Sequence, residues 1–511
     1  MSERVKTVTV LLSVSLAGCF DFKGAFESCR DGGRCGDAGS SVQVALQTVT
    51  RHTEGSAIST PTQFLSSDFT LYVRNGEQFT QVTTGGPTAA GRFVFSAVPP
   101  GQRYLRRGDY WLVDPPATVD FSYRTFGRAD TAVADGGVRL EVASSGMNAW
   151  VDGSELELVS PNAGFMGFAF EAGLTTPPTP QGLPTTLGFD YSFAYSDYWG
   201  ADVPIPLINT QAGDVAYLTQ LEASSLSITG GEVVPLRTLV KAATLSPLAM
   251  AKGTVKVTGA FTAPPQVNVS VDWRRAAYWA LGPQVTPNLA TDTSSDSLGI
   301  SVIPYFGDEG IYEQSADLLI AGGEKTAAHT ADLAFAKSLR NPYPASWVIT
   351  LYLEFCHYGL PQSTGGDLTF QPYACSRRWE PLDAVNGHAL TPGLGPPIDL
   401  KVDGQPAYGT LTLKTTVPTV SWSPPTVGAP DSYEVEVRRV YDAGGWLDSE
   451  WVGSVLSHTT TVMMPPGVLY SGESYYLVVI ALKGIDGLAT PFKTAPSREI
   501  ASGLSAVLRV Q

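Results

Sequence analysis

Charge is scarce in this chain. Only 16% of its 511 residues are Asp, Glu, Lys or Arg, against a typical ~25%. Acids outnumber bases, 48 to 33, for a net charge of −15. That excludes the basic footprint a nucleic-acid binder needs. Histidine is also rare: His52, His329, His357, His388 and His458 lie far apart, with no H-E-x-x-H or H-x-H. There is no Gly-Lys pair and therefore no P-loop, and no G-x-S-x-G and therefore no nucleophile elbow. The sequence offers no catalytic residue, no cofactor motif and no metal-ligand set, and the expectation is a non-enzymatic protein. No apolar run approaches the ~20 residues that span a bilayer. The longest in the body, Tyr475 to Leu482, alternates like a strand.

What is present is core material and turn formers. Apolar residues make up 43%, with 52 Gly and 37 Pro, below the level that marks a disordered chain. The length predicts roughly three to five domains.

The N-terminus has a short basic region ending at Lys6, an apolar stretch of about ten to twelve residues, then Leu16-Ala17-Gly18-Cys19. The stretch is too short for a permanent span and has the layout of a secretory signal. Leu16-Ala17-Gly18-Cys19 resembles the bacterial lipobox. That resemblance implies cleavage between Gly18 and Cys19, lipidation of Cys19, and a membrane partner held through two or three acyl chains, where one chain alone holds only marginally. Phe20 stands where the best-known inner-membrane retention signal has Asp. This favours the outer membrane of a bacterial envelope, on its periplasmic or its surface face.

The other cysteines are Cys29, Cys35, Cys356 and Cys375. Four cysteines allow three connectivities; the spacings favour the local pairs Cys29–Cys35 and Cys356–Cys375. On the loop-entropy account the larger loop is worth ~3 kcal/mol. A zinc site would want Cys or His at short spacing on both arms, and only Cys356-His357 comes near.

The chain divides as follows: residues 1–18 signal peptide, 19–45 a Gly/Asp/Ser-rich tether, 46–172 a β-sandwich, 173–392 a β-rich region, and 393–511 a final module. In the first sandwich Asn75-Gly76 predicts a tight hairpin. Gly91, Phe93, Phe95, Val98, Pro99, Gly101 and Tyr104 resemble the carboxypeptidase-regulatory-like sandwich, with Leu105 one place early. The final module resembles a fibronectin type III domain. Trp422 fits the buried tryptophan of the second strand, Tyr433, Val435 and Val437 an inward face, and Tyr475 the corner tyrosine; Tyr441–Val452 is longer than a usual connection. In the middle, Pro177, Pro178 and Pro180 read as a linker. A helix is expected over Asp272–Leu281, capped by Asp272 and stopped by Gly282. The fold class is all-β, with tandem Ig- or fibronectin-like sandwiches and little helix.

Three clusters invite chemistry. Phe189, Tyr191, Phe193 and Tyr195 share one strand face, followed by Tyr198 and Trp199. This is a core face or, with Tyr195, Tyr198 and Trp199 exposed, a sugar-stacking surface. Asp308, Glu309, Glu313 and Asp317 form the densest acidic cluster, read as a solvated loop, with calcium as the alternative. Arg107-Gly108-Asp109 reads as a turn before Tyr110-Trp111. The expected partners beyond the membrane are an envelope protein or a polysaccharide. A carbohydrate-binding accessory protein and a hydrolase with its site in 173–392 are the alternative functions.

Overall fold

A computed structural model describes residues 40–511 except 52–56, 62, 66, 129, 170–174, 176–177, 180–182, 192–204, 229–230, 308–309, 312–315, 323–325, 328–330, 365, 485 and 493–497. The chain is all-β, 57% strand and 5% helix, built as tandem β-sandwiches. Gly18, Cys19, Cys29 and Cys35 lie outside the described residues. Among the described residues no helix is long and apolar enough to cross a membrane.

Five apolar clusters organise the described residues. The first gathers Val42, Val44, Phe69, Leu71, Phe93, Phe95, Leu105, Leu112 and Phe121. The Asn75-Gly76 turn forms as expected: Thr70–Asn75 pairs antiparallel with Gln78–Val82, and Gly76 sits at φ +62°, a region that suits glycine. The offset of Leu105 has a physical cause. Tyr104 and Leu105 are both buried because their strand, Gln102–Arg107, is covered on both faces. Leu105 enters the first core, whereas Tyr104 enters the core of the final module. Strands covered on both sides lose the alternation of a half-solvated sheet.

The second core contains Val138, Leu140, Leu156, Phe165, Leu187, Phe189, Tyr191, Leu218 and Phe261. It crosses the expected boundary at 172/173. Val138–Ser145 pairs with Thr186–Asp190 and with Gly253–Ala260, and Glu155–Ser160 pairs with Tyr217–Ser227. Pro177 and Pro180 of the expected linker lie outside the described residues, but the strand that follows, Thr186–Asp190, pairs back onto Val138–Ser145. The third core holds Val234, Leu236, Trp273, Leu298, Ile300, Leu318, Leu351 and Phe355.

The helix expected over Asp272–Leu281 is shorter and later. Asp272 and Trp273 end the strand Gln266–Trp273, whose outward and inward positions alternate to its last residue. One helical turn runs Arg275–Trp279 and another Gly282–Val285. Gly282 thus begins a turn instead of stopping one, with Pro283 in the first-turn position where its missing N–H does no harm.

The final module has fibronectin-like strand order. One sheet runs Gln405–Pro406, Ile398–Val402, Thr419–Ser423, Thr461–Met463, and the facing sheet includes Leu447–Ser457, Ser432–Asp442, Ser474–Lys483 and Arg498–Leu504. Trp422 packs edge-on to Tyr433 at 5.4 Å. The Tyr475 hydroxyl accepts the Tyr470 N–H at 3.0 Å, the corner-tyrosine bond. The long Tyr441–Val452 segment is a continuation of the hairpin. Strands stay paired to Asp442 and Leu447, and Asp442 Oδ1 accepts the N–H groups of Gly444 and Gly445 at 2.8 and 2.9 Å.

These sandwiches are joined along their edges. Tyr373–Pro381 pairs with Arg498–Leu504, tying the third sandwich to the last. Tyr110–Val113 pairs in parallel with Leu447–Ser457, Tyr110 opposite Ser454 and Leu112 opposite Leu456, tying the first sandwich to the last. Trp111 and Val113 accordingly join the last core, while Leu456 and Leu488 join the first.

Candidate functional site

An open cavity of about 750 Å³ lies at the seam between the first and last sandwiches, lined by Leu46, Ser67, Asp68, Arg107, Gly108, Asp109, Tyr110, Trp451 and Phe492. That is within the 300–1,000 Å³ common for small-molecule sites. Its floor and rim follow from the pairing just described. Gln102–Arg107 and Tyr110–Val113 form a hairpin whose turn is Gly108, at φ +57°. The Arg106 Nε–H donates to the Gly108 carbonyl at 2.7 Å, and the Ser454 N–H donates to the Asp109 carbonyl at 3.0 Å. The turn reading of Arg107-Gly108-Asp109 therefore holds, and the turn also forms one wall of the cavity.

Aromatic rings line another part of the cavity. Tyr110 lies 5.2 Å from Trp451 and 5.3 Å from Phe492, centroid to centroid. The Trp451 Nε1–H donates to Ser454 Oγ at 3.0 Å, which fixes the indole. The Arg107 guanidinium sits 5.2 Å from the Phe492 ring and 5.5 Å from that of Phe121, a cation–π arrangement. Asp68 Oδ2 accepts the Leu65 N–H at 2.7 Å. The Asp109 carboxylate is 58% exposed and stands 4.0 Å from the Arg106 guanidinium. The site thus presents two carboxylates, one guanidinium and a partly exposed aromatic face. Sequence inspection missed it because its residues come from five separate segments; the Tyr110-Trp111 pair beside a Gly-Asp turn was its one visible trace.

The other expected sites resolve differently. Phe189 and Tyr191 are 2% and 0% exposed and belong to the second core, with Tyr191 stacked on Phe165 at 4.8 Å. They are packing residues. Phe193, Tyr195, Tyr198 and Trp199 lie outside the described residues, as do Asp308, Glu309 and Glu313. Asp317 leaves the acidic loop altogether. It sits in the strand Ala316–Gly322, which pairs with Leu289–Ile303, so its backbone is committed to the sheet. Cys356 and Cys375 are directly opposed and form a disulfide. Glu354 lies close to both sulfurs, but with the sulfurs bonded to each other no thiolate is left to hold a metal. His357 is a core histidine: its Nε2–H donates to the Tyr278 carbonyl at 3.1 Å.

Some carboxyls are buried or half-buried. Glu157, 3% exposed, accepts the Asp317 N–H at 3.1 Å. Asp317 Oδ1 accepts the Ser301 hydroxyl at 2.8 Å. Burial, then the Asp317 charge, pushes Glu157 well above the usual carboxylate range. Burial pushes Asp317 up to about 7, against the Ser301 bond. Glu434, in the polar groove where Tyr373–Pro381 meets the last sandwich, is also pushed up to about 7, by burial and then by Glu436. Such groups make stability fall as pH rises from about 4 to about 7, because the unfolded chain releases protons that the fold retains. His357 works in the opposite direction. Burial lowers its pKa to about 4, so stability falls as pH drops from about 6.5 to 4. Single variants isolate the carboxyl effect. Asp317→Asn and Glu434→Gln are each expected to stabilise more at pH 8 than at pH 5, by about 1–3 kcal/mol, read by urea unfolding. An equal effect at both pH values would mean the carboxyls ionise normally.

No family model matches this sequence, and no curated protein does. Among solved structures the chain is similar to titin domains A168–A170, at 9% identity and TM-score 0.14, covering 75% of this chain and 100% of that one. It is also similar to the FN1–FN3 domains of chicken CNTN1, at 9% identity and TM-score 0.13, covering 57% of this chain and 94% of that one. These scores are too low to align the whole molecules. The Ig- or fibronectin-like character of the sandwiches rests on their strand order and cores.

Proposed function

We propose that this chain is a lipid-anchored protein of a bacterial cell envelope that presents fused β-sandwiches as a binding module and catalyses no reaction. The observation that carries the anchor is Leu16-Ala17-Gly18-Cys19 at the end of a short apolar stretch. Acyl chains on Cys19 bury about 0.8 kcal/mol per CH₂, and two or more hold durably. A disulfide in the body suits an oxidising compartment. The acidic body is repelled by anionic lipid, which suits a tether that holds it clear of the surface. With Phe20 after the lipidated position, the outer membrane is the proposed destination. The absence of nucleophile-elbow, P-loop and zinc-protease motifs supports a binding role over a catalytic one.

Metabolic labelling with a clickable fatty acid tests the anchor. Wild type takes up label and sediments with membranes, whereas Cys19→Ser does neither. A Cys19→Ser protein that stays labelled and membrane-bound overturns the assignment.

A further inference from the structure

The cavity between the first and last sandwiches is concave, mixed in polarity and built from both partners of a fused seam. Each ligand class can be judged against its lining. A purely apolar ligand would cover Asp68, Asp109 and Ser67 without satisfying them, and a buried polar group without a partner is costly. An anion would meet two carboxylates on a body of net charge −15. A cation would be repelled by the Arg107 guanidinium, which lines the cavity and covers the Phe492 ring at 5.2 Å. A neutral polyhydroxylated ring fits all three components. Its C–H face stacks on an aromatic ring, its hydroxyls donate to Asp68 and Asp109, and they accept from Arg107.

We propose that this cavity binds a neutral saccharide, with Tyr110 and Trp451 as the stacking surface and Asp68 and Asp109 as the hydroxyl acceptors. This names the ligand of the binding role given above and rests on it. The Leu65 N–H occupies one oxygen of Asp68, leaving the other to select a hydroxyl, while Asp109, at the rim, is open to solvent. A second cavity at a sandwich junction is less suited. It measures about 120 Å³ and is lined by Arg377, Arg438, Arg498, Glu434 and Glu436, charges that already pair with or face one another.

Calorimetric titration of the full chain in detergent micelles tests the proposal, with cellohexaose, xylohexaose, chitohexaose and maltohexaose as probes. At least one is expected to bind with a Kd between about 10 μM and 1 mM. Trp451→Ala and Asp109→Asn are each expected to weaken it about tenfold or more. Trp446→Ala, which alters a 59% exposed indole outside the cavity lining, leaves it unchanged. Should Trp451→Ala fail to fold, Trp451→Tyr, which keeps a stacking ring, retains binding while Asp109→Asn still weakens it. Failure of all four sugars, binding that survives Trp451→Ala and Asp109→Asn, or capture of a tetra-arginine peptide in their place overturns the ligand class. Fatty-acid labelling of Cys19 is untouched by any of these results, so loss of the sugar and loss of the anchor are told apart.

Discussion

Arg275→Met is expected to destabilise the third sandwich by about 3–5 kcal/mol. The Arg275 side chain is fully buried, as is nearly all of Asp296. Its Nη1 and Nη2 groups donate to Asp296 Oδ2 at 2.7 Å and Glu232 Oε2 at 2.8 Å, and its Nε–H donates to the Ala331 carbonyl at 2.6 Å. Three strand-and-loop segments are therefore held by one guanidinium. Methionine fills much of the volume but leaves the Asp296 carboxylate buried without this counter-charge. That desolvated ion, more than the lost attraction, sets the size of the effect. The combined variant Arg275→Met/Asp296→Leu is expected to recover part of the loss, since an apolar replacement of both partners removes the buried charge. Urea unfolding of the two variants checks this. A double variant as unstable as the single one would mean that Arg275 acts through packing.

Trp111→Ala is expected to cost about 3–5 kcal/mol and to loosen two sandwiches together. Trp111 is 1% exposed. It comes from a strand of the first sandwich but packs in the last core, 5.7 Å from Tyr72 and beneath the Arg106 guanidinium at 5.2 Å. Its neighbour Leu112 points the other way, into the first core. The cavity left by alanine therefore opens at the shared wall. Hydrogen exchange should show protection falling in both Thr70–Asn75 and Thr419–Ser423, one strand from each side. Loss confined to Thr70–Asn75 would mean the sandwiches unfold independently and the pairing of Tyr110 with Ser454 is incidental.

How much of this was legible in the sequence depended on how local the cause was. Asn75-Gly76, the inward Tyr433, Val435 and Val437, and the corner bond of Tyr475 are set by residues a few positions apart, and all three read correctly. The one-place offset of Leu105 was seen but not interpreted, because its cause, coverage of the strand by a second core, lies hundreds of residues away. The same coverage explains Ser474–Lys483. Tyr475, Leu477 and Val479 face the last core, and Tyr476, Val478 and Ile480 face residues of the third sandwich, so one strand reads as a near-continuous apolar run. The Pro-rich segment near 180 looked like a boundary because proline punctuation is local, whereas membership of a sheet is not. Nothing in the sequence marks Arg275 as buried, since its partners at 232, 296 and 331 share no motif with it. The cavity was invisible for the same reason: residues 46, 68, 109, 451 and 492 meet only after folding.

The seam also imposes an order of events on a growing chain. Tyr110 and its partner Ser454 are 344 positions apart. At about 5–20 residues per second, a ribosome finishes the hairpin around Gly108 roughly 20–70 s before the strand that covers it exists. Throughout that interval Tyr110–Val113 is a bare ribbon edge, the kind that recruits foreign strands. Its short length and the adjoining Arg106, Arg107 and Asp109 are the charged flanks that keep such an edge solitary until its own distant partner arrives.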